Sequence, residues 1–194
     1  MNRGQSSRAT FSAGWHGAAR RVPSPNFDAR PHPGDIRLIV VHNISLPPGQ
    51  FGGDAIERLF TNRLDARAHP FYATLGALRV SAHFLIRRDG ELVQFVGCND
   101  RAWHAGASSW RGHGRCNDYS IGIELEGVDT RPYRSRQYAR LAVLTRRLRA
   151  AYPALSGVAG HDEIAPGRKA DPGPAFDWAR FTLAAGVPRA WREA

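Results

Sequence analysis

Ile36-Arg37-Leu38-Ile39-Val40-Val41-His42 is the stretch on which the fold turns. Apart from Arg37 and the final histidine it is apolar, β-branched and short. Such a run reads as a central strand buried on both faces of a sheet. His42 stands at its C-terminal end, and α/β sheets open their sites at the C-terminal ends of their strands. Residues 43–53 follow with Pro47-Pro48-Gly49 and Gly52-Gly53, a loop by composition. Asp54 is placed to cap a short helix running to about Thr61.

Outward from this strand, strand-like and helix-like segments alternate. Residues 80–87 and 91–96 flank Asp89-Gly90, a dipeptide that favours a hairpin. Over residues 119–126, Ile121, Ile123 and Leu125 face one way, and Gly122, Glu124 and Glu126 the other. Ser135 is a candidate N-cap for a helix in which Tyr138, Leu141, Ala142, Thr145, Leu148 and Tyr152 fall at helical spacing. Residues 157–160 read as a short strand leading into His161, and 176–185 as a last helix. The pattern predicts an α/β fold: a single domain over residues 14–186, with a mixed central β-sheet flanked by helices. Flexible ends are expected at 1–13 and 187–194.

Composition bounds the function. A chain of 194 residues, 42% hydrophobic, is long enough for one real core. It has no apolar run of roughly 18 residues, so no membrane span is expected. The first residues are basic, free of acid, and lack the apolar segment of a secretory signal. Cys98 and Cys116 do not make a disulfide framework in a chain this long. Reduced thiols in a cytoplasmic protein are the expectation. The net charge of +10 brings nucleic acid into consideration. The arginines, however, are spread along the chain. They read as solvated surface that would attract a polyanionic substrate, and no nucleic-acid partner is expected.

The chemistry concentrates between Gly160 and Pro174. Lys169 is the only lysine among 27 basic residues, and it lies between His161 and Asp171. A compact ammonium and a planar guanidinium are not interchangeable where one atom must be reached. Zinc hydrolases use three protein ligands and leave a fourth position for water. His42, His161 and Asp171 supply two imidazoles and a carboxylate, each at a strand end or in a Pro/Gly-rich loop. Such a site still needs a base for its water and a charge for the developing oxyanion. Glu124 is the candidate base, beside Gly122, whose missing side chain would leave room for substrate. Glu126 shares its face and competes with it, and an exposed sheet face would account for both. Lys169 is the oxyanion candidate. His83, inside an apolar strand, reads as a satisfied core histidine, whereas His104 in Trp103-His104-Ala105-Gly106 is expected to line the site. Cys116 and His113 make a poor metal pair. Trp103 and Trp110 could stack on sugar but are equally ordinary core residues.

These residues reach a family. Residues 41–49, 80–90, 102–106, 117–127 and 160–174 closely resemble, in order, the motifs of the AmpD family. Its members are cytoplasmic 1,6-anhydro-N-acetylmuramyl-L-alanine amidases, a branch of the zinc-dependent type-2 amidases. The resemblance runs from about residue 14 to 181. It implies the type-2 amidase fold shared with peptidoglycan-recognition modules. It also implies a zinc ion held by His42, His161 and Asp171, Glu124 as base and Lys169 as the transition-state cation. The resemblance also implies that Asn43, Arg79 and Arg115 sit in substrate-contact positions. The implied reaction is hydrolysis of the lactyl–L-Ala amide of anhydromuropeptides in cell-wall recycling, by a monomer acting on a small molecule. One departure is Phe71-Tyr72, where the family order would be Tyr-Phe; it puts in doubt any role for a phenol there. Two other readings are a non-catalytic recognition module of the same fold and, from charge alone, a nucleic-acid binder.

Overall fold

The computed structural model describes residues 11–76 and 78–192. Its main sheet has six strands: β1 (Arg20–Arg21), β2 (Leu38–Ile44), β3 (Phe84–Ile86), β4 (Leu92–Gln94), β5 (Ser120–Glu126) and β6 (Gly157–Gly160). They lie in the order β6-β2-β5-β3-β4-β1. All neighbours are parallel except the β3–β4 hairpin, so the sheet is mixed, as expected. The hairpin turns at Gly90, whose φ of 90° suits a residue without a side chain. Leu38, Ile39, Val40 and Val41 are wholly inaccessible, as a central strand covered on both faces requires.

Among the described residues five α-helices accompany the sheet: α1 (Ala55–Phe60), α2 (Pro70–Leu75), α3 (Ser135–Ala151), α4 (His161–Ile164) and α5 (Trp178–Ala185). Alternation along the strands sorts the core. Ile39 and Val41 of β2 join Ile121, Ile123 and Leu125 of β5 in packing against Tyr138, Leu141 and Leu148 of α3 and Phe181 of α5. On the opposite face, Leu85 and Val93 meet Ile56, Leu59 and Phe60 of α1 and Tyr72 of α2. Leu38 and Val40 point to that opposite face too, against Ala105, Tyr119 and Ile164.

Several element ends differ from expectation. Asp54 precedes α1 but makes no side-chain cap; its carboxylate pairs with Arg58 instead, at 2.7 Å. Helix α3 is capped by Arg134, whose amide donates to Gln137 Oε1 at 3.0 Å, and Ser135 is already its first helical residue. Helix α5 starts two residues later than expected, where Asp177 Oδ1 accepts from Arg180 N at 2.9 Å. At the N-terminus, residues 1–10 of the expected flexible extension lie outside the described residues. Phe11–Ser12, by contrast, pairs antiparallel with Trp15–His16, and Phe11 packs on the core. At the C-terminus, residues 187–192, expected to be loose, are folded back. Val187 and Trp191 cover apolar core surface, and Arg192 sits over the Trp178 ring and pairs with Glu163 at 2.5 Å. The apolar area of Val187 and Trp191 gives those residues a reason to pack. Residues 193 and 194 are outside the described set.

Candidate metal and hydrolytic site

The parallel register builds the site. On β2 the side chains of Leu38, Val40 and His42 leave by one face. On β5 Glu124 is the ladder partner of His42 and leaves by the same face. On β6 Gly160 is the partner of Val41, so His161, the next residue, emerges beside His42 at the start of α4. Asp171 arrives from the loop after α4. Its carbonyl accepts from Asp162 N at 2.9 Å, which ties that loop back to the helix.

Three donor atoms converge. His42 Nδ1 and His161 Nδ1 are 2.9 Å apart, and Asp171 Oδ2 is 3.1 and 3.0 Å from them. Donors about 2.0–2.2 Å from a tetrahedral zinc stand slightly farther from one another than this, so a small outward movement would seat the ion. The back of each ring is tied. His161 Nε2 is 3.1 Å from the Ala105 carbonyl, which can only accept. The His161 proton therefore lies on Nε2, and its Nδ1 lone pair faces the centre. Two neutral imidazoles and a carboxylate suit a zinc ion, and among the described residues this is the one cluster with such spacing.

The electrostatics agree. Burial lowers the His42 imidazole to about 4, against the opposing pull of Asp171, which keeps the ring neutral and able to bind metal. Burial alone would raise the Asp171 carboxyl, but the closeness of the His161 and His42 rings outweighs it and holds the group below the usual carboxylate range. Glu124 moves the other way. Burial, reinforced by the Asp171 charge and opposed by Lys169, raises its carboxyl well above the ordinary value. Its Oε2 is buried without a hydrogen-bond partner. A buried, unpartnered carboxylate oxygen is costly and is retained where it does chemistry.

These groups share one cavity of about 380 Å³, lined by His42, Asn43, His104, Glu124, His161, Lys169 and Asp171. Its other wall is apolar, from Leu59 and Phe60 of α1 and Phe71 and Leu75 of α2. Lys169 is exposed at the rim, on a loop whose amide at Lys169 bonds to the Ala165 carbonyl. Asn43 Nδ2 is fixed by Asp129 Oδ1 at 2.7 Å and the Pro172 carbonyl at 3.1 Å. Arg79 and Arg115 are exposed and stand outside this lining, Arg115 in an ion pair with Asp118 at 2.8 Å. Phe71, not Tyr72, faces the cavity, so the reversed aromatic order presents a ring without a hydroxyl.

The structure corrects one sequence expectation and decides between others. Gly122 does not make room for substrate: a Cβ there would lie 2.4 Å from His104 Cγ, so the glycine admits the His104 ring. The face bearing Glu124 and Glu126 is not exposed, for every residue of β5 is buried. Glu126 is engaged by Gly52 N at 2.6 Å, Arg88 N at 3.0 Å and the Arg87 guanidinium at 3.4 Å, which leaves Glu124 as the carboxylate free for chemistry. His83 is the core histidine expected, accepting from Gly122 N at 3.0 Å. Trp110 packs over Gly157, and Cys116 meets the Tyr119 hydroxyl rather than His113. Sequence reasoning missed Asp129, which anchors Asn43, and Ser120, which backs His104. Asp129 lies just past the C-terminal end of β5, and that position was its only signal.

The sheet, the His-His-Asp cluster and the buried carboxylate beside it fit a metal-dependent amidase. The chain belongs to the N-acetylmuramoyl-L-alanine amidase family, whose model matches residues 32–174. It is 61% identical to the 1,6-anhydro-N-acetylmuramyl-L-alanine amidase AmpD of Salmonella typhimurium, over 87% of this chain and 90% of that protein. The crystal structure of a selenomethionine AmpD derivative superposes with a TM-score of 0.86 at 58% identity, covering 90% of this chain and 98% of that one. The AmiD amidase of Escherichia coli, solved with anhydro-N-acetylmuramic acid-L-Ala-D-γ-Glu-L-Lys, matches with a TM-score of 0.59 at 30% identity, covering 82% of this chain and 61% of that one.

Proposed function

We infer that this chain hydrolyses the amide between the lactyl group of 1,6-anhydro-N-acetylmuramic acid and the L-Ala of its peptide stem, in the recycling of cell-wall fragments. The observation that carries the reading is the buried, unpartnered Oε2 of Glu124, in one cavity with the His42–His161–Asp171 cluster. Its likeness over nearly the whole of several AmpD amidases supports the choice of substrate. When bound by His42, His161 and Asp171, zinc supplies a Lewis acid and an acidified water.

Each residue of the chain then has a task. Glu124, its affinity for protons raised by burial, takes the proton of the attacking water and returns it to the departing amine. Lys169, at the cavity rim, brings its ammonium to the oxygen that becomes negative on the lactyl carbonyl. Asn43, held by Asp129, and His104 form polar parts of the wall that receives the sugar-peptide junction. Arg79 and Arg115 supply exposed positive charge for the stem carboxylates. The substrate is a small molecule, the working unit a monomer and the compartment the cytoplasm. The buried, unpaired Cys98 and Cys116 fit a reducing compartment, and no helix among the described residues is long and apolar enough to cross a membrane.

The test is mass spectrometry of an anhydromuramyl peptide incubated with the protein. Release of the free L-Ala-headed peptide, lost with a zinc chelator and restored by zinc, is the expected result. Intact substrate with zinc-loaded protein would overturn the reading and leave a recognition module of the same fold. Recovery of a processed, exported form on cell fractionation would overturn the cytoplasmic setting.

A further inference from the structure

The two candidate histidine ligands are held from behind in different ways. His161 Nε2 meets a backbone carbonyl, so its tautomer is settled by the main chain. His42 Nε2 meets another imidazole, His104 Nδ1, at 2.9 Å. An imidazole nitrogen either donates or accepts, and the choice at this contact decides where the His42 proton sits. His104 Nε2 is in turn 3.2 Å from Ser120 Oγ.

We propose that His104 is a positioning residue that, backed by Ser120, holds His42 in the tautomer whose Nδ1 lone pair faces the metal centre. With its proton on Nε2, His42 donates to His104 Nδ1; His104 then carries its own proton on Nε2 and donates to the Ser120 hydroxyl. Run the other way, the chain would place a proton on His42 Nδ1, pointing at His161 and Asp171 and blocking coordination. The surroundings hold the ring for this task. Its backbone amide and that of Ala105 both donate to Asn117 Oδ1, at 3.1 and 2.8 Å. Its plane meets that of His42 edge-on at 82°. The space it fills exists because residue 122 has no side chain. Partners of this kind, one step behind a ligand, orient it and raise its basicity.

The inference rests on the zinc reading above, and its test separates the two. The full chain is stripped of metal and its zinc affinity measured by competition with a chelator of known affinity. Wild type is compared with His104→Leu, His104→Asn, Ser120→Ala and His42→Ala, each checked for folding by its melting curve. Nitrogen-15 NMR reads the His42 tautomer. His104→Leu should weaken zinc roughly 10–100-fold, the range for loss of such a partner. His104→Asn, whose Oδ1 falls near the lost Nδ1, should recover most of it, and Ser120→Ala should lower the share of His42 protonated at Nε2. If folded His104→Leu binds zinc as tightly as wild type, or Asn restores nothing, the positioning role is wrong. Should His104→Leu not fold, an unchanged His42 tautomer in Ser120→Ala overturns it. Equal zinc affinity in wild type and His42→Ala would instead sink the zinc site itself.

Discussion

His42 and Glu124 are ladder partners across the parallel strands β2 and β5, so a candidate metal ligand and the candidate base leave the sheet side by side. In a parallel pair in register, partners share a face. Neither residue needs a loop to bring it to the other. Precision of this kind comes from rigid elements, and a proton-transferring group has to be placed within hydrogen-bond reach.

Glu124 should therefore be required for turnover but not for metal. Glu124→Gln keeps shape and removes the base. Its kcat should fall by at least about a hundredfold, with metal content by elemental analysis unchanged. Loss of metal together with activity would show that Glu124 supports the cluster rather than moving a proton.

Glu126, two residues along the same face, should behave differently. Its carboxylate answers two amides and Arg87, so Glu126→Ala takes the acceptor from the partly buried Gly52 and Arg88 amides, at a cost of about 1–3 kcal/mol. A drop in melting temperature of several degrees is expected, with kcat of the folded protein far less affected than in the Glu124 variant. Equal catalytic losses from the two would mean that the sheet face as a whole matters.

Lys169 is tested by shape as well as charge. Lys169→Ala should lower kcat on the order of 10²–10³, as for one oxyanion donor, and raise KM much less. Lys169→Arg keeps the charge but spreads it over a larger planar group and should restore little. Turnover near wild type in the arginine variant would make the single lysine an accident of composition.

Gly122→Ala should act through His104. The new methyl would meet the ring at 2.4 Å, so the imidazole must shift, at about 1–3 kcal/mol for overpacking. Calorimetry should show the lost stability, and zinc affinity should fall with it. A variant with wild-type melting and zinc binding would mean that the ring has room to spare.

His83 predicts an acid limb. Burial, with Arg30 beside it, lowers its imidazole to about 3 from the ordinary 6.5. The unfolded chain takes up the proton near 6.5 while the folded protein refuses it until about 3. Stability from this group is thus complete above pH 6.5 and is lost as pH falls toward 3, at up to about 1.4 kcal/mol per unit. His83→Asn keeps an acceptor for Gly122 N and cannot titrate, so its denaturation midpoint should depend less steeply on pH over that window. Identical slopes for the two proteins would place the acid sensitivity elsewhere.

Local pattern was enough for much of this molecule. The apolar run ending at His42, the alternation over 119–126 and the Asp89-Gly90 turn each fix a strand and its faces within a few residues, because side-chain period and turn geometry are local properties. That His42, His161 and Asp171 belong together was legible too, since they sit in segments with recognisable neighbours, and the fold brings their donor atoms to one point. What the sequence by itself left open were questions of partnership. Glu124 and Glu126 share a strand and a face; only the fold brings Gly52, Arg87 and Arg88 to one and leaves the other unanswered. The same holds for Gly122, whose empty volume is claimed by a histidine 18 positions earlier in the chain, and for Val187 and Trp191, whose apolar surface finds a core that a local reading cannot show. Period and turn chemistry are decided by neighbours in the chain, whereas hydrogen-bond satisfaction and close packing are decided by neighbours in space.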